Sequence, residues 1–319
     1  MDSDTSGLGA LSLFLLKLCY GEHMDLITYK SLPASDQIRL KNSSKVADSL
    51  EIYWARKISG HLEDLTPIVL ESLRHTGRVP QINLDDLFIE HFFDVSTKAM
   101  RYAMTEVEER GKVKKVVKAA KFPVARIPKS LEGLMKLYDL WRKGKYKPKR
   151  AVKQAKAIKD LYLKKVRSVW EEHSEDFRKG NVATQELVVQ EIKEAANTTI
   201  SRAKNIVRTE STSYYNQARK EFYDESEDIT HYLFLAIRDA ATSPWCTPLT
   251  IRGYRGRSGL VYAKTDPLCD KERPACHPGC RSEYLPLNRL NPAHLKYIQN
   301  LSIQRRENTC FPLLKGWRS

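Results

Sequence analysis

The first half of the chain repeats apolar residues at helical spacing. A helix buries a side chain every three or four positions, whereas a half-buried strand alternates apolar and polar residues. Gly77 and Pro80 close the second of these segments, and the cationic stretch GKYKPK separates the last two. The pattern predicts five helices before residue 180, over Ser44–Lys57, Leu62–His75, Leu84–Glu109, Leu131–Trp141 and Ala151–Phe177.

The pattern changes after Gly180. Two more helices are predicted over Thr184–Ala196 and Thr199–Tyr223, and the apolar and aromatic run HYLFLAIRD then predicts a strand. GLVYAK and CRSEYLPL predict two further short strands, and a last helix is expected over Pro292–Arg306. The expected fold class is therefore α+β, with a mostly helical N-terminal region followed by a small domain that contains a short antiparallel sheet.

These segments predict four regions along the chain. The apolar run GLGALSLFLLKLCYG near the start follows Asp2 and Asp4, where a signal peptide would carry cations, and it is too short to cross a bilayer. We therefore expect a docking tail, synthesis in the cytosol and no membrane partner. The regions are the docking tail (1–30), a helical basic region (31–180), the small α+β domain (181–290), and a C-terminal helix and tail (291–319).

Positive charge is concentrated in the middle of the chain. The formal net charge is +15, and the stretch from Arg110 to Arg167 holds 21 Lys and Arg against three acids. Such an excess predicts a polyanionic partner, because Lys and Arg neutralise phosphates without reading the base sequence. The lysines fall in several registers, so no single stripe is expected. The hinge around GKYKPK is predicted to bind nucleic acid through Lys143, Lys145, Lys147, Lys149 and Arg150.

Four of the six cysteines lie in one stretch beside a histidine. A closed structural zinc site needs four Cys or His ligands, and disulfides are disfavoured in the cytosol. Adjacent Cys and His residues rarely both bind one ion, so one of Cys276 and His277 is expected to be left out. No general base accompanies the cluster, which favours a structural zinc over a catalytic one. The candidate ligands are Cys246, Cys269, Cys276, His277 and Cys280.

Three segments in the second half resemble a known family. They are NIVRTESTSYYNQARKEFY, LFLAIRD and HPGCRSEYLP, and their order and spacing are similar to those of the phage Mu F-like minor head proteins, or phage head morphogenesis domain. The resemblance covers roughly residues 185 to 287. The chain departs from the family pattern in two places, because Thr247 to Leu249 replace part of a Cys-x-x-Cys pair and Ser282 replaces the last Cys of C-R-C.

The resemblance implies a structural minor capsid protein in the virion of a tailed bacteriophage. Such a protein is made in the host cytoplasm and lies inside the head near the portal, with portal protein, capsid or scaffold proteins and packaged DNA as partners. Arg208, Glu210 and Asp239 would form ion pairs and caps that join the helix to the strand. No active site is expected, because Ser211 and Ser213 lie in a helical pattern without a histidine partner.

Two other functions remain open on the sequence alone. A zinc-containing nucleic-acid-binding regulator would share the charge and the cysteines, but it would place a basic recognition helix beside the metal loop. A phage nuclease or toxin would need acids or a histidine that converge in a pocket. The sequence offers neither arrangement in an obvious form.

Overall fold

A computed structural model describes residues 32–108, 128–235, 261–266, 280 and 282–298. Within these ranges the chain is mostly helical and carries one three-stranded antiparallel sheet, which confirms the α+β class. Residues 292–298 form a further helical segment. No helix in the described ranges is long and apolar enough to cross a membrane. The elements are α1 (Ala34–Thr76), α2 (Asp85–Glu108), α3 (Leu131–Arg142), α4 (Lys149–Arg178), α5 (Val182–Asp224), β1 (Ile229–Leu235), β2 (Val261–Ala263) and β3 (Glu283–Asn288).

The chain divides into two compact units. The helical unit is Lys45–Phe222, and the sheet unit combines Met1–Ser44 with Tyr223–Ser319. The boundaries expected from sequence at residues 30, 180 and 290 differ from this division. The whole of α5 follows residue 180, yet most of its buried side chains join the core of the helical unit. Packing of the apolar face, rather than the change in composition after Gly180, therefore decides to which unit α5 belongs.

Helix α1 is continuous where the sequence predicted two helices and a break. Gly60 lies inside it, and a mid-helix glycine costs only about 1 kcal/mol relative to alanine. Ile58 and Leu62 on either side are 1% and 0% exposed, and burying two such side chains contributes about 3 to 6 kcal/mol, which outweighs the cost. Pro67 also lies within the helix, but on its exposed side, where water can reach the carbonyl of Glu63.

Helix α5 is likewise one helix, and the predicted interruption near Asn197 and Thr198 was wrong. The buried residues Ala196 and Ile200 keep the helical register across the interruption. The Thr199 hydroxyl donates to the carbonyl of Ala195 at 2.7 Å, so this buried polar side chain is satisfied inside the helix. A polar sequence that satisfies its own hydrogen bonds does not end a helix whose apolar face continues.

The core of the helical unit lies where α2 packs against α3 and α4. Phe93 of α2 stacks on Trp141 of α3 with ring centroids 5.7 Å apart. Helix α4 presents a single apolar side to this core, and the small side chains at its start allow close approach. Five residues of that side are each at most 1% exposed: Ala151, Ala155, Ile158, Tyr162 and Val166.

One ion pair is buried inside the helical unit. Arg219 Nη2 lies 3.2 Å from Glu106 Oε2, and the two side chains are 2% and 4% exposed. The guanidinium also lies over the rings of Tyr102 and Tyr215, at 5.4 and 5.3 Å from their centroids. A buried charge is tolerated when it is paired in this way, so Arg219 joins α2 and α5 without leaving a bare cation in the core.

The sheet unit has the strand order β2-β1-β3. In the antiparallel register Leu233 faces Leu285 and Phe234 faces Tyr284, so one face of the sheet is aliphatic and the other aromatic. Pro286 lies opposite Tyr232 in β3, which is an edge strand, the position at which a strand tolerates a missing N–H. A strand covers part of each of HYLFLAIRD, GLVYAK and CRSEYLPL, as predicted.

The first turns of α1 pack onto this sheet from the other end of the sequence. The hydroxyls of Ser43 and Ser44 donate to the two carboxylate oxygens of Glu283, at 2.5 and 2.8 Å. Asp36 and His294 form a second buried pair 2.7 Å apart. The Asn288 N–H donates to His294 Nδ1, so His294 Nε2 carries the hydrogen that is donated to Asp36.

Removing either serine hydroxyl should loosen the sheet unit. A hydrogen bond to a charged group contributes about 1.5 to 3 kcal/mol, so we expect Ser43→Ala or Ser44→Ala to lower local stability by that amount. Amide hydrogen exchange in peptides that cover β1 and β3 measures the loss. Ser49→Ala is the matched control, because Ser49 is exposed and bonds only within its own helix. Unchanged exchange in both single variants would contradict the role of Glu283.

Candidate functional site

The basic hinge is the turn between α3 and α4. Gly144 ends α3 in the left-handed conformation at φ +70°, and its N–H donates to the carbonyl of Trp141 at 2.7 Å. Tyr146 is half-buried and meets the ring of Phe93 at 6.4 Å. Glycine supplies the conformation and the aromatic residues anchor it, so the hinge presents its cations from a fixed turn.

The five cations predicted to bind nucleic acid differ in their ion-pair partners. Lys143, Lys145 and Lys149 are exposed. Lys147 Nζ lies 3.9 Å from Asp85 Oδ2, a long and exposed ion pair that adds little stability. Arg150, by contrast, is held by a carboxylate of α5 and serves the fold directly. Three of the five are thus available to a ligand, and one is committed to structure.

Glu210 collects the polar contacts around the start of α4. Arg150 Nε lies 2.6 Å from Glu210 Oε2, and Arg150 Nη2 and Gln154 Nε2 donate to Oε1 at 3.1 and 3.0 Å. Burial raises the pKa of Tyr214 well above its ordinary value, and the neighbouring Glu210 charge raises this pKa further, so the phenol remains protonated. Glu210 therefore joins α5 to the first turn of α4.

The residues that the resemblance singled out differ in their partners. Arg208 Nε lies 3.5 Å from Glu51 Oε1 of α1, and Glu210 pairs with Arg150 of α4. Both residues form ion pairs, but their partners lie on helices rather than on the strand as expected. Asp239, the third residue, lies outside the described residues. The helix–strand connection is instead made by Tyr232, whose hydroxyl donates to Asp224 at 2.6 Å.

Most of the predicted metal ligands cannot be located. Cys246, Cys269, Cys276 and His277 lie outside the described residues, and Cys280 is fully buried just before β3. The described ranges contain no group of three or more His, Cys, Asp or Glu side chains arranged to hold a metal ion. Cys280 is therefore the one candidate ligand whose surroundings the described residues include.

The expectation that Ser211 has no histidine partner was wrong. His91 Nε2 lies 2.8 Å from Ser211 Oγ, and the two residues are 120 positions apart in the sequence. They are only 1% and 2% exposed. Burial lowers the pKa of His91 to about 3, although the charge of Asp94 opposes this shift. An imidazole of so low a pKa is a weak base at neutral pH, and this pair is closed to substrate.

The surface hollow found in the described residues also lacks an acid–base pair. It is lined by Ser49, Ile52, Tyr53, Arg56 and Lys57, which all lie on α1. These side chains include no carboxylate and no imidazole. General acid–base chemistry would need such groups within reach of one reacting atom. The lining of this hollow therefore offers cations and hydroxyls but no carboxylate or imidazole to act as general acid or base.

Comparison of the chain with protein-family models, with curated proteins and with solved structures found no match. The class that the described residues define is a helical protein with a basic surface and a small antiparallel sheet.

The buried His91 should make stability depend on pH. The folded protein keeps His91 neutral down to about pH 3, whereas the unfolded chain protonates it near its ordinary value of 6.5. The unfolded state binds more protons between these values, so the free energy of unfolding falls as the pH falls, by up to about 1.4 kcal/mol per pH unit. Urea denaturation followed by circular dichroism between about pH 6.5 and pH 4.5 measures this slope.

His91→Gln should show a shallower dependence than the wild type over the same range. His75→Gln is the control, because His75 is exposed at the end of α1 and should leave the slope unchanged. Equal slopes in wild type and His91→Gln would show that His91 is not the neutral buried group described here.

Proposed function

We propose that the chain is a structural minor capsid protein of a tailed bacteriophage, held near the portal inside the head and in contact with packaged DNA. The proposal continues the resemblance to the phage head morphogenesis family. The observation that carries it is the pairing of β1 with β3, in which Leu233 lies opposite Leu285. Two of the segments that resemble the family therefore meet on one sheet, and α5, which carries RTE, leads directly into it.

Two features of the described residues support a structural role over catalysis. The helical unit exposes cations on the hinge and on α4, and phosphate neutralisation requires no other chemistry. The hydrogen-bonded pair of His91 and Ser211 is buried in the core. We therefore propose a protein that is not an enzyme, with portal protein, capsid or scaffold proteins and DNA as partners and the virion as its location.

Association with particles tests this proposal. A tagged copy expressed during assembly of the phage should sediment with heads and with the portal ring, at a few copies per particle. Deleting residues 1–20, the apolar tail that lies outside the described residues, should leave a folded protein that no longer enters particles. A full-length protein absent from purified particles would contradict the proposal. Selective binding to a few duplex sequences would favour a regulator, and DNA cleavage would favour a nuclease.

We also propose that the cysteine loop binds one structural zinc ion through four of its five Cys and His residues. A bound ion would supply folding energy to a loop with few apolar residues. Elemental analysis of reduced protein should find about one zinc per chain. Cys280→Ser should lose it, whereas Cys19→Ser and Cys310→Ser, which change cysteines far from the cluster in sequence, should retain it. Protein without stoichiometric metal would exclude this site.

A further inference from the structure

Helix α4 arranges its cations in one stripe, which the count of lysine registers along the sequence did not reveal. At 3.6 residues per turn, the five exposed cations of the stripe fall within an arc of about 80°, on the side opposite the buried Ala155, Ile158 and Tyr162. The stripe extends over about 27 Å at 1.5 Å per residue. Its members are Lys149, Lys153, Lys156, Lys164 and Arg167.

The five cations of this stripe outnumber the acids on the same face of the helix. In the part of the chain that the structure describes, none of the five residues forms an ion pair, whereas Arg150 on the adjacent face is bound to Glu210. Asp160, the single acid of α4 before Glu171, lies on the same face, four residues from both Lys156 and Lys164, and offsets part of the positive charge. Three pairs of these cations lie three or four residues apart, and the repulsion in each pair costs a few tenths of a kcal/mol.

The direction of charge along α4 also opposes the helix dipole. Cations occupy the N-terminal part, the first turn holds no acid, and the N-cap residue Pro148 makes no side-chain hydrogen bond. Glu171, Glu172, Glu175 and Asp176 lie towards the C-terminal end. A cation in the first turn of a helix, or an anion in the last turn, costs about 0.3 to 1 kcal/mol, because it lies beside the end of the dipole that carries the same sign. Helix stability thus does not account for this arrangement, whereas a bound anion would offset its cost.

The chemistry of the stripe distinguishes nucleic acid from protein as its partner. Protein interfaces are built around aromatic and large apolar residues and are depleted in lysine. The described surface includes exposed large apolar residues on α3 and α5, such as Leu140 and Val182, but none on α4. Phosphates require only cations with enough reach, and the positive N-terminal end of the helix dipole adds to the attraction.

We propose that this stripe is the surface that lies along the phosphate backbone of duplex DNA. The inference rests on the proposed function, which includes contact with packaged DNA, and it assigns that contact to one face of α4 rather than to the hinge. A length of about 27 Å corresponds to roughly eight base pairs at 3.4 Å per step. Contacts to phosphates carry no sequence information, so binding along the backbone is independent of DNA sequence.

Salt-dependent binding of the full chain to random duplex DNA tests the assignment. Removing four stripe cations should make the slope of log affinity against log salt shallower by about three to four, because each neutralised phosphate contributes about 0.9. The stripe variant combines Lys153→Gln, Lys156→Gln, Lys164→Gln and Arg167→Gln. The control removes the same charge from exposed positions of α2 and α5, with Arg101→Gln, Lys193→Gln, Arg202→Gln and Lys204→Gln, and should change the slope by less than about one.

The outcomes separate this inference from the proposed function. DNA binding with the same slope in the stripe variant and in the control would overturn the assignment to α4 and leave the virion role standing. A loss confined to a hinge variant, Lys143→Gln with Lys145→Gln, would also overturn it. Wild-type protein that binds no DNA, but enters particles through these cations, would show an acidic protein partner and refute both the stripe and the DNA contact. Circular dichroism of each variant confirms that the helices remain folded.

Discussion

Burial of the apolar side of α4 is the constraint on which the helical unit depends. Ile158, Tyr162 and Val166 are completely buried, and each such side chain contributes about 1.5 to 3 kcal/mol. Repulsion between neighbouring lysines costs only a few tenths of a kcal/mol for each pair, so packing sets the rotation of the helix and the charges follow. The same burial that completes the core therefore decides which cations face solvent and that they face it together.

The ion pair between Glu210 and Arg150 connects this helix to the segment that resembles the phage family. Glu210 belongs to RTE in α5, and Arg150 lies in the first turn of α4. In isolation an RTE triplet is a weak signal, but here its carboxylate holds the start of the basic helix through two hydrogen-bonding residues, Arg150 and Gln154. Arg150 is also stacked over Tyr214, at 5.6 Å from the ring centroid. Arg150, which the sequence analysis grouped with the DNA-binding cations, therefore helps to fix the position of α4 and of the cations that it carries.

Local sequence patterns predicted the elements of this protein better than their limits or their partners. Apolar spacing located α2, α3 and α4 and the three strands, because burial of one face is encoded in neighbouring residues. The apolar pattern left a break between Lys57 and Leu62, but Gly60 in that gap costs the helix only about 1 kcal/mol, which is small beside the burial of its neighbours.

Contacts between distant residues were the part that the sequence could not supply. His91 and Ser211 are 120 residues apart, and no local signal indicates that they meet. Buried Arg219 resembled an ordinary surface cation for the same reason. The stripe on α4 could have been found by projecting its lysines onto a helix, since the buried side was already visible in the sequence. The metal ligands remain a prediction from clustering, because only Cys280 lies in the described residues.

The bond between Ser43 and Glu283 has a consequence for how the chain matures during synthesis. The two residues are 240 positions apart, which at about 5 to 20 residues per second separates their emergence from the ribosome by roughly 12 to 48 s. During that interval Leu32 and Leu40, which pack against the sheet in the folded protein, do not yet have the neighbours that bury them. The ribosome finishes all five helices of the helical unit before it reaches β1. The helical unit can therefore fold before the sheet is synthesised. The earliest-synthesised turns of α1 thus become among the last parts of the molecule to reach their native environment.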